Sequence, residues 1–265
     1  MRAERETMRV KDRVTVLTGA ASGIGRATAL LFASEGAIVH ASDVDTAGLE
    51  ETRELAGEAR ENVHLSTVDV TRYDEVKKHM DGVASAHGRL DVLIVNAGVV
   101  RVGQVEEFPE EDYDLLIDVN LKGTFFTCKA AVPHFKRQRS GTIITLASVA
   151  AHIGQNNHAN YCSTKAGVLG FTRALALDMA PFDVRVNSVS PGATDTPMLR
   201  SDVGREAAQR GVPFEQVKKE FEEQGVLTRW AQAREIATGI LFLATDDASY
   251  MTGADLRIDG GWTTR

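Results

Sequence analysis

Seven short apolar runs, each set apart from the next by a segment of helical character, leave this chain few folds to adopt. The runs cover residues 14–17, 38–42, 63–68, 90–95, 141–146, 184–189 and 256–258, and most are rich in β-branched residues. Run 90–95 is almost continuously apolar, as a parallel strand covered on both faces must be. Helical spacing fills the gaps: through Leu30, Leu31 and Phe32 up to Gly36, over 45–60, over 73–87, over 166–179 and over 236–244. Between runs 90–95 and 141–146 the pattern predicts two helices, one starting over 109–114. The other starts near Asp118, with Asn120 in its first turns, and runs past Phe125, Phe126 and Cys128 towards Gln138. Strands alternating with helices over short loops specify the α/β class: one doubly wound parallel sheet with helices on both faces. At 265 residues the chain suits a single domain over 11–265, preceded by a flexible extension over 1–10. The rhythm breaks once, at 193–229, a long charged insertion with its own short amphipathic helix through Phe214, Val217 and Phe221.

The first turn carries chemistry. Thr18-Gly19 ends the first strand, and Ser22-Gly23-Ile24-Gly25 opens the first helix. A strand, a glycine turn and a helix aim backbone N–H groups at a phosphate, and glycine allows a pyrophosphate to approach closely. A purely structural βα turn has the same look, but its place after a buried strand favours a dinucleotide. Asp43 ends the second strand, about 20 residues past the glycines, where a dinucleotide fold places an acid on the adenosine ribose diol. A carboxylate there repels a 2′-phosphate, so the cofactor expected is NAD rather than NADP. Ser22 and Val44 supply no cation to oppose that preference. Asp43 would otherwise cap the following helix, a role that suits Asp45 better.

Tyr161 and Lys165 are four residues apart at the start of a helix, so phenol and ammonium share one face. A free tyrosine ionises near pH ~10; bringing it to neutrality takes roughly 4 kcal/mol of preference for the phenolate. A lysine in a water-poor pocket, with a cationic cofactor beside it, supplies such a preference, whereas an exposed lysine does not. Taken alone, the pair is equally an ordinary surface pair.

Formal charge of −7 argues against nucleic acid or an anionic membrane as main partner, and no apolar run is long enough to span a bilayer. The charged start, Met1 to Thr7, lacks the apolar core of a signal peptide. Cys128 and Cys162, without metal-type spacing, fit a reduced cytoplasmic protein, with Cys162 as a packing residue. The seven histidines read as scattered, and no metal is expected.

These pieces together resemble the classical short-chain dehydrogenase/reductase family over about 11–262: Thr18-Gly19 with Gly23 and Gly25, Asp69, Asn96-Ala97-Gly98, Asn120, Ser148, Tyr161 with Lys165, Pro191-Gly192, and Thr196. Each is weak alone; the ordered set is specific, and TGxxxGxG is this family's form of the glycine turn. The resemblance implies a Rossmann-type fold in which Tyr161 is general acid/base and Lys165 lowers its pKa and binds the nicotinamide ribose. It further implies that Ser148 holds the substrate oxygen and that Asn120 positions a water behind the lysine. Asp69 and Val70 would flank the adenine, Asn96, Ala97 and Gly98 the ribose, and Thr196 the carboxamide, with Pro191, Gly192 and Thr194 completing the cofactor site. The family commonly forms homotetramers through the helices bearing Asn120 and Tyr161. Here Phe125, Phe126, Val168, Phe171 and Leu175 offer apolar surface for that pairing.

The activity implied is hydride transfer between a secondary alcohol and its ketone. Residues 99–101, 152–157 and the insertion should surround the substrate. Gln155, Asn156 and Asn157 offer contacts suited to a polyol, sugar or cyclic alcohol, while His152 reads as a solvated loop residue. The insertion is expected to act as a lid hinged at Gly192 and Gly225. Two alternatives are an NADPH-dependent ketoreductase of the 3-oxoacyl-carrier-protein type, opposed by Asp43, and a non-catalytic nucleotide-binding regulator. The complete Asn120, Ser148, Tyr161 and Lys165 set opposes the second.

Overall fold

A computed structural model describes residues 8–264. Its central sheet has seven parallel strands: β1 (Val14–Thr18), β2 (Ile38–Asp43), β3 (Val63–Thr67), β4 (Val92–Val95), β5 (Gly141–Leu146), β6 (Val184–Pro191) and β9 (Asp255–Ile258), in the order β3-β2-β1-β4-β5-β6-β9. The chain winds outward from β1 to β3 and then returns to β4 on the other side of β1. Crevices form at such reversals, at the carboxyl ends of the strands. Alternation along each strand feeds two apolar layers. Leu17, Val92, Ile94 and Ile144 pack with α1 (Gly23–Ser34) and α9 (Ala233–Ala244) through Phe32, Ile236 and Ile240. Val14, Val16, Leu93 and Ile143 pack with α3 (Tyr73–His87), α5 (Gly123–Gln138) and α6 (Ala159–Met179) through Met80, Phe135 and Met179.

Several expectations change. The expected extension over 1–10 is cut short: residues 1–7, and with them the charged start, lie outside the described residues, while Val10 is fully buried in the core and Arg9 pairs with Glu35. The helix expected over 45–60 stops as α2 (Thr46–Leu55), because Gly57 takes a left-handed φ of 56°, and a 3-10 turn (Gly57–Asn62) follows. Asp45 caps α2 by accepting from Gly48 N. The two helices expected between β4 and β5 are one: α4 (Glu110–Leu116) runs into α5 through a π-helical segment, Ile117–Lys122. A π turn fits an extra residue into the helix and shifts its apolar phase, which is why the pattern reads as two helices.

The insertion holds two helices, α7 (Pro197–Arg210) and α8 (Phe214–Gln224), rather than one, and short strands β7 (Thr194–Asp195) and β8 (Ala231–Gln232) close its base. It has a small core of its own, with Val203, Ala207, Val217 and Trp230 buried. Most of its charges pair among themselves at the surface, Arg200 with Asp195 and Arg210 with Glu206 and Glu220, while Asp202 is buried. Gly192 was expected as a hinge; a methyl group there would sit 2.7 Å from Asp259 Cα, so glycine serves close packing at that point. Val168 and Leu175, offered as assembly surface, are buried within the chain, whereas Phe125 and Leu177 on neighbouring helices are exposed.

Four of the histidines read as scattered come together. His40 on β2 is in register with His64 on β3 and stacks on it at 4.9 Å, and its Nε2 lies 2.8 Å from His87 Nε2 on α3. His79 completes the group, 6.5 Å from His40 between ring centres. Burial, helped by the neighbouring imidazoles, pushes His40 down to about 3, and burial pushes His79 down to about 4. His64 is also lowered, by burial and His87, with Glu61 opposing. The folded values lie below the unfolded one, so the unfolded chain takes up protons first. The associated stability is complete above pH ~6.5 and is lost as pH falls towards the folded values. The melting temperature should therefore drop between pH 7.5 and 5.5, and His40→Gln together with His79→Gln should flatten the drop. A flat profile in the unmutated protein would contradict this. Among the described residues, no group of three or more His, Cys, Asp or Glu side chains is arranged to hold a metal ion.

Candidate active site

A cavity of about 620 Å³ opens at the carboxyl ends of β1 and β4, where the strand order reverses. Its nucleotide half is made by the first βα turn. Gly19, Ser22, Gly23, Ile24 and Gly25 all line it, and Gly19 and Gly23 take left-handed φ values of 71° and 53°. Ser22, the N-cap of α1, gives no side-chain cap, so the first N–H groups of that helix are left for a ligand. Asp43 lines the same end. Its carboxylate accepts from Ala21 N at 3.0 Å and from Asp45 N at 3.1 Å, which fixes its direction. Arg26, nearby in sequence, is occupied by Glu51, Thr52 and the carbonyls of Ala21 and Gly48. Among the described residues lining the cavity there is no arginine, and Lys165 is the one lysine.

Asp69, Val70, Asn96, Ala97, Gly98, Pro191, Gly192, Thr194 and Thr196 line the cavity as well. Asp69 accepts from the Thr71 backbone and hydroxyl at 2.9 and 2.7 Å. Asn96 ties β4 to β1 by donating to the carbonyls of Thr18 and Gly19, while Thr194 donates to Gly192 O. Thr196 has a further part: its hydroxyl oxygen caps α7 by accepting from Leu199 N at 3.2 Å, with Pro197 following in the first helical turn.

The reactive half is built on α6. Tyr161 and Lys165 meet as the four-residue spacing requires, with the Lys165 ammonium 5.8 Å from the centre of the Tyr161 ring. Lys165 is 5% exposed and donates to Leu146 O at 3.0 Å. Burial pushes its ammonium down to about 8. Burial also pushes the Tyr161 phenol up to about 12; a hydrogen bond from Ser148 pulls the other way, and the charge of Asp202 adds to the rise. In the chain alone desolvation is the largest influence on this phenol. Ser148 stands beside Tyr161, and its hydroxyl oxygen accepts from Ala150 N at 3.2 Å.

Asn120 does not line the cavity. It sits one layer behind, in the π segment, 1% exposed. Both its amide hydrogens are used, on Val99 O at 2.9 Å and Thr164 Oγ1 at 3.2 Å, and its oxygen accepts from Val99 N at 2.8 Å. It therefore clamps the loop after β4 to α6. The π turn brings it there, since it allows one helix to face two partners at once.

The substrate half departs further from expectation. Val99, Val100 and Gln155 line the cavity; Arg101, His152, Asn156 and Asn157 do not. Arg101 pairs with Asp112. His152 is no solvated loop residue: it bonds Asp255 at 2.9 Å and stands 3.3 Å from Ser190 Oγ, so it fastens its loop to the sheet edge. Cys162 packs as expected, its thiol on Ile153 O. The insertion, expected around the substrate, contributes Met198, Leu199, Asp202 and Phe221, and His158 and Trp262, which the sequence reading did not single out, stand with them. Thr196-Pro197 followed by Gly211, an N-cap, a first-turn proline and a C-terminal glycine, was the signal that would have revealed α7 and with it three of these residues. The His158 pKa is raised: burial lowers it, but Asp202 and the Asn156 carbonyl together outweigh burial.

A family model described as enoyl-(acyl carrier protein) reductase matches residues 19–263. The chain is 40% identical to the 3-oxoacyl-[acyl-carrier-protein] reductase FabG of Thermotoga maritima, over 96% of this chain and 99% of that protein. It is 38% identical to dehydrogenase/reductase SDR family member 6 of Rattus norvegicus, over 96% of this chain and 99% of that one. The crystal structure of levodione reductase superimposes with a TM-score of 0.92 at 32% identity, covering 97% of this chain and 99% of the other. With the glycine turn, the Ser148–Tyr161–Lys165 group and the Asn120 clamp set in one parallel α/β sheet, these likenesses make the chain a member of the short-chain dehydrogenase/reductase family of oxidoreductases.

Proposed function

We propose that the protein is an NAD(H)-dependent dehydrogenase that moves a hydride between a secondary alcohol and the corresponding ketone. The observation that carries the cofactor preference is Asp43, a directed carboxylate at the adenosine end of a cavity without an arginine. The glycine cradle and the uncapped start of α1 fit the pyrophosphate, and Asp43 fits a ribose diol. When bound, the nicotinamide ring supplies the hydride acceptor or donor. The chain's own residues do the rest. Ser148 and Tyr161 hold the carbinol oxygen between two hydroxyls. Tyr161 takes its proton in oxidation and returns one to the developing alkoxide in reduction. The Lys165 ammonium favours the phenolate by charge, and a cationic ring beside it adds to that effect. Asn120 keeps the Val99 loop and α6 in register. The apolar substrate wall excludes water from the reacting atoms.

A screen of secondary alcohols with NAD⁺, read as NADH absorbance, tests this reading. NADH should bind more tightly than NADPH, and Asp43→Ala should narrow the gap mainly by weakening NADH. Equal affinities in the unmutated protein would overturn the NAD assignment. They would favour the second reading, an NADPH-dependent ketoreductase of the 3-oxoacyl-carrier-protein type, a type for which the 40% identity to the Thermotoga 3-oxoacyl-[acyl-carrier-protein] reductase speaks.

We also propose a homotetramer. Phe125, 45% exposed, stacks near Phe126 and Phe171, and Leu177 is 78% exposed on the adjoining helix. Light scattering should give a mass near four chains, and a monomer at micromolar concentration would rule the assembly out.

A further inference from the structure

Two ionisable side chains that the hydride chemistry does not use face each other across the substrate half of the cavity. His158 precedes α6, one turn before Tyr161, and Asp202 lies on α7. Both line the cavity, and their side chains are only 11% and 8% exposed. Each has one polar atom engaged elsewhere. His158 Nδ1 is 2.7 Å from the Asn156 carbonyl, and Asp202 Oδ1 accepts from Arg205 at 3.2 Å. The remaining atoms, His158 Nε2 and Asp202 Oδ2, stand 3.6 Å apart, beyond hydrogen-bond length. Because Nδ1 donates to the Asn156 carbonyl, Nε2 carries a hydrogen only in the imidazolium, the form that Asp202 favours. An imidazolium N–H and a carboxylate oxygen this close, but beyond hydrogen-bond length, form a donor and an acceptor that a group able to do both can bridge.

A hydroxyl is such a group: it accepts from the imidazolium Nε2–H and donates to the carboxylate. A carboxylate offers acceptors only and would meet Asp202 as a like charge. A plain methylene would leave two buried polar atoms without a partner, which costs more than the mere absence of a contact. The cavity also offers apolar side chains, Val149, Met198, Leu199 and Trp262, to hold a carbon skeleton. The His158 and Tyr161 rings lie 6.3 Å apart, so a small molecule reaches both.

Building on the proposed alcohol dehydrogenase activity, we propose that His158 and Asp202 form a second substrate subsite that binds a hydroxyl remote from the reacting carbinol. The substrate class is then a neutral diol or polyol, in preference to a mono-alcohol or a hydroxy acid of the same skeleton. Because Asp202 belongs to the insertion and His158 to the catalytic helix, the hydroxyl also joins these two elements.

The test compares matched alcohols on the full-length enzyme with NAD⁺: cyclohexanediols against cyclohexanol and hydroxycyclohexanecarboxylate, with acyclic and hexose counterparts. The diol should be favoured over the mono-alcohol by at least about 100-fold in kcat/KM, short of the ~10⁴–10⁵ that a site built to bond a substrate hydroxyl can reach. His158→Phe should bring that ratio close to one, and Asp202→Asn should relax the rejection of the hydroxy acid. Equal use of diol and mono-alcohol by the unmutated enzyme overturns the subsite. So does a parallel fall for both substrates in His158→Phe with the ratio unchanged, since that marks a clasp without recognition. Should no alcohol reduce NAD⁺, the hydride reading fails, and the subsite is judged by binding alone. The NADH-loaded protein should then melt higher with diol than with mono-alcohol, and His158→Phe should abolish the difference. Equal melting temperatures overturn it.

Discussion

Tyr161→Phe should reduce turnover by a factor of ~10²–10⁴, the range spanned by loss of a general acid/base. The substitution removes one oxygen. The ring keeps its place on α6, and the partner it deserts is the Ser148 hydroxyl, which keeps its bond from Ala150 N. Fold and cofactor affinity should therefore be nearly unchanged, and the loss should appear in kcat rather than in NADH binding. Burial holds the phenol up at about 12 and the Lys165 ammonium down at about 8 in the chain alone. The phenolate thus depends on positive charge brought to the pair. A carboxylic or imidazole base elsewhere in the cavity would escape that dependence. The nearest candidate, His158, lies on the same wall. If Tyr161→Phe retained near wild-type turnover on a verified substrate, the proton would have to travel by His158 and Asp202, and the tyrosine would be a packing residue.

What was legible in the sequence follows from which signals are local. Buried parallel strands are short apolar runs, so β1, β2, β5 and β6 could be placed within two residues of their bounds. The glycine turn, Asp43 and the Tyr161–Lys165 spacing are local too, and the structure brings all of them to one cavity. The substrate side was obscured because its residues are set by contacts distant in sequence. Asp202 meets His158 across 3.6 Å, and neither carries a periodic mark of its partner. His152 looked solvated because its partner, Asp255, is on the far edge strand. The histidine group was hidden for the same reason: His40 and His64 meet only through the register of β2 with β3. The π segment shows the opposite limit. It shifts the helical pattern part-way, so one helix reads as two, and the contacts of Asn120 with both Val99 and Thr164 lie beyond any local pattern.

Gly25→Ala should abolish useful cofactor binding, while Gly82→Ala should be harmless. A methyl group on Gly25 would stand 1.9 Å from the Gly19 carbonyl oxygen and 2.6 Å from Asn96 Nδ2. Neither neighbour can give way freely. Gly19 is backbone at a left-handed φ of 71°, and the Asn96 amide is held by the carbonyls of Thr18 and Gly19. The turn must therefore open, and it takes with it the N–H groups of α1 on which the pyrophosphate would rest. Forcing extra atoms into a packed site costs about 1–3 kcal/mol in stability. The affinity loss should be greater, on the order of 100-fold or more, equivalent to roughly 2.7 kcal/mol. At Gly82, within α3, an added methyl meets nothing within 4 Å. Alanine there should stabilise the helix by about 0.5–1 kcal/mol, the usual gain over glycine. The two variants thus separate a general intolerance of substitution from a specific need for a bare backbone at the phosphate turn. Calorimetric titration with NADH and thermal melting of both proteins make the comparison. Wild-type NADH affinity in Gly25→Ala would mean that the cofactor does not rest on this turn.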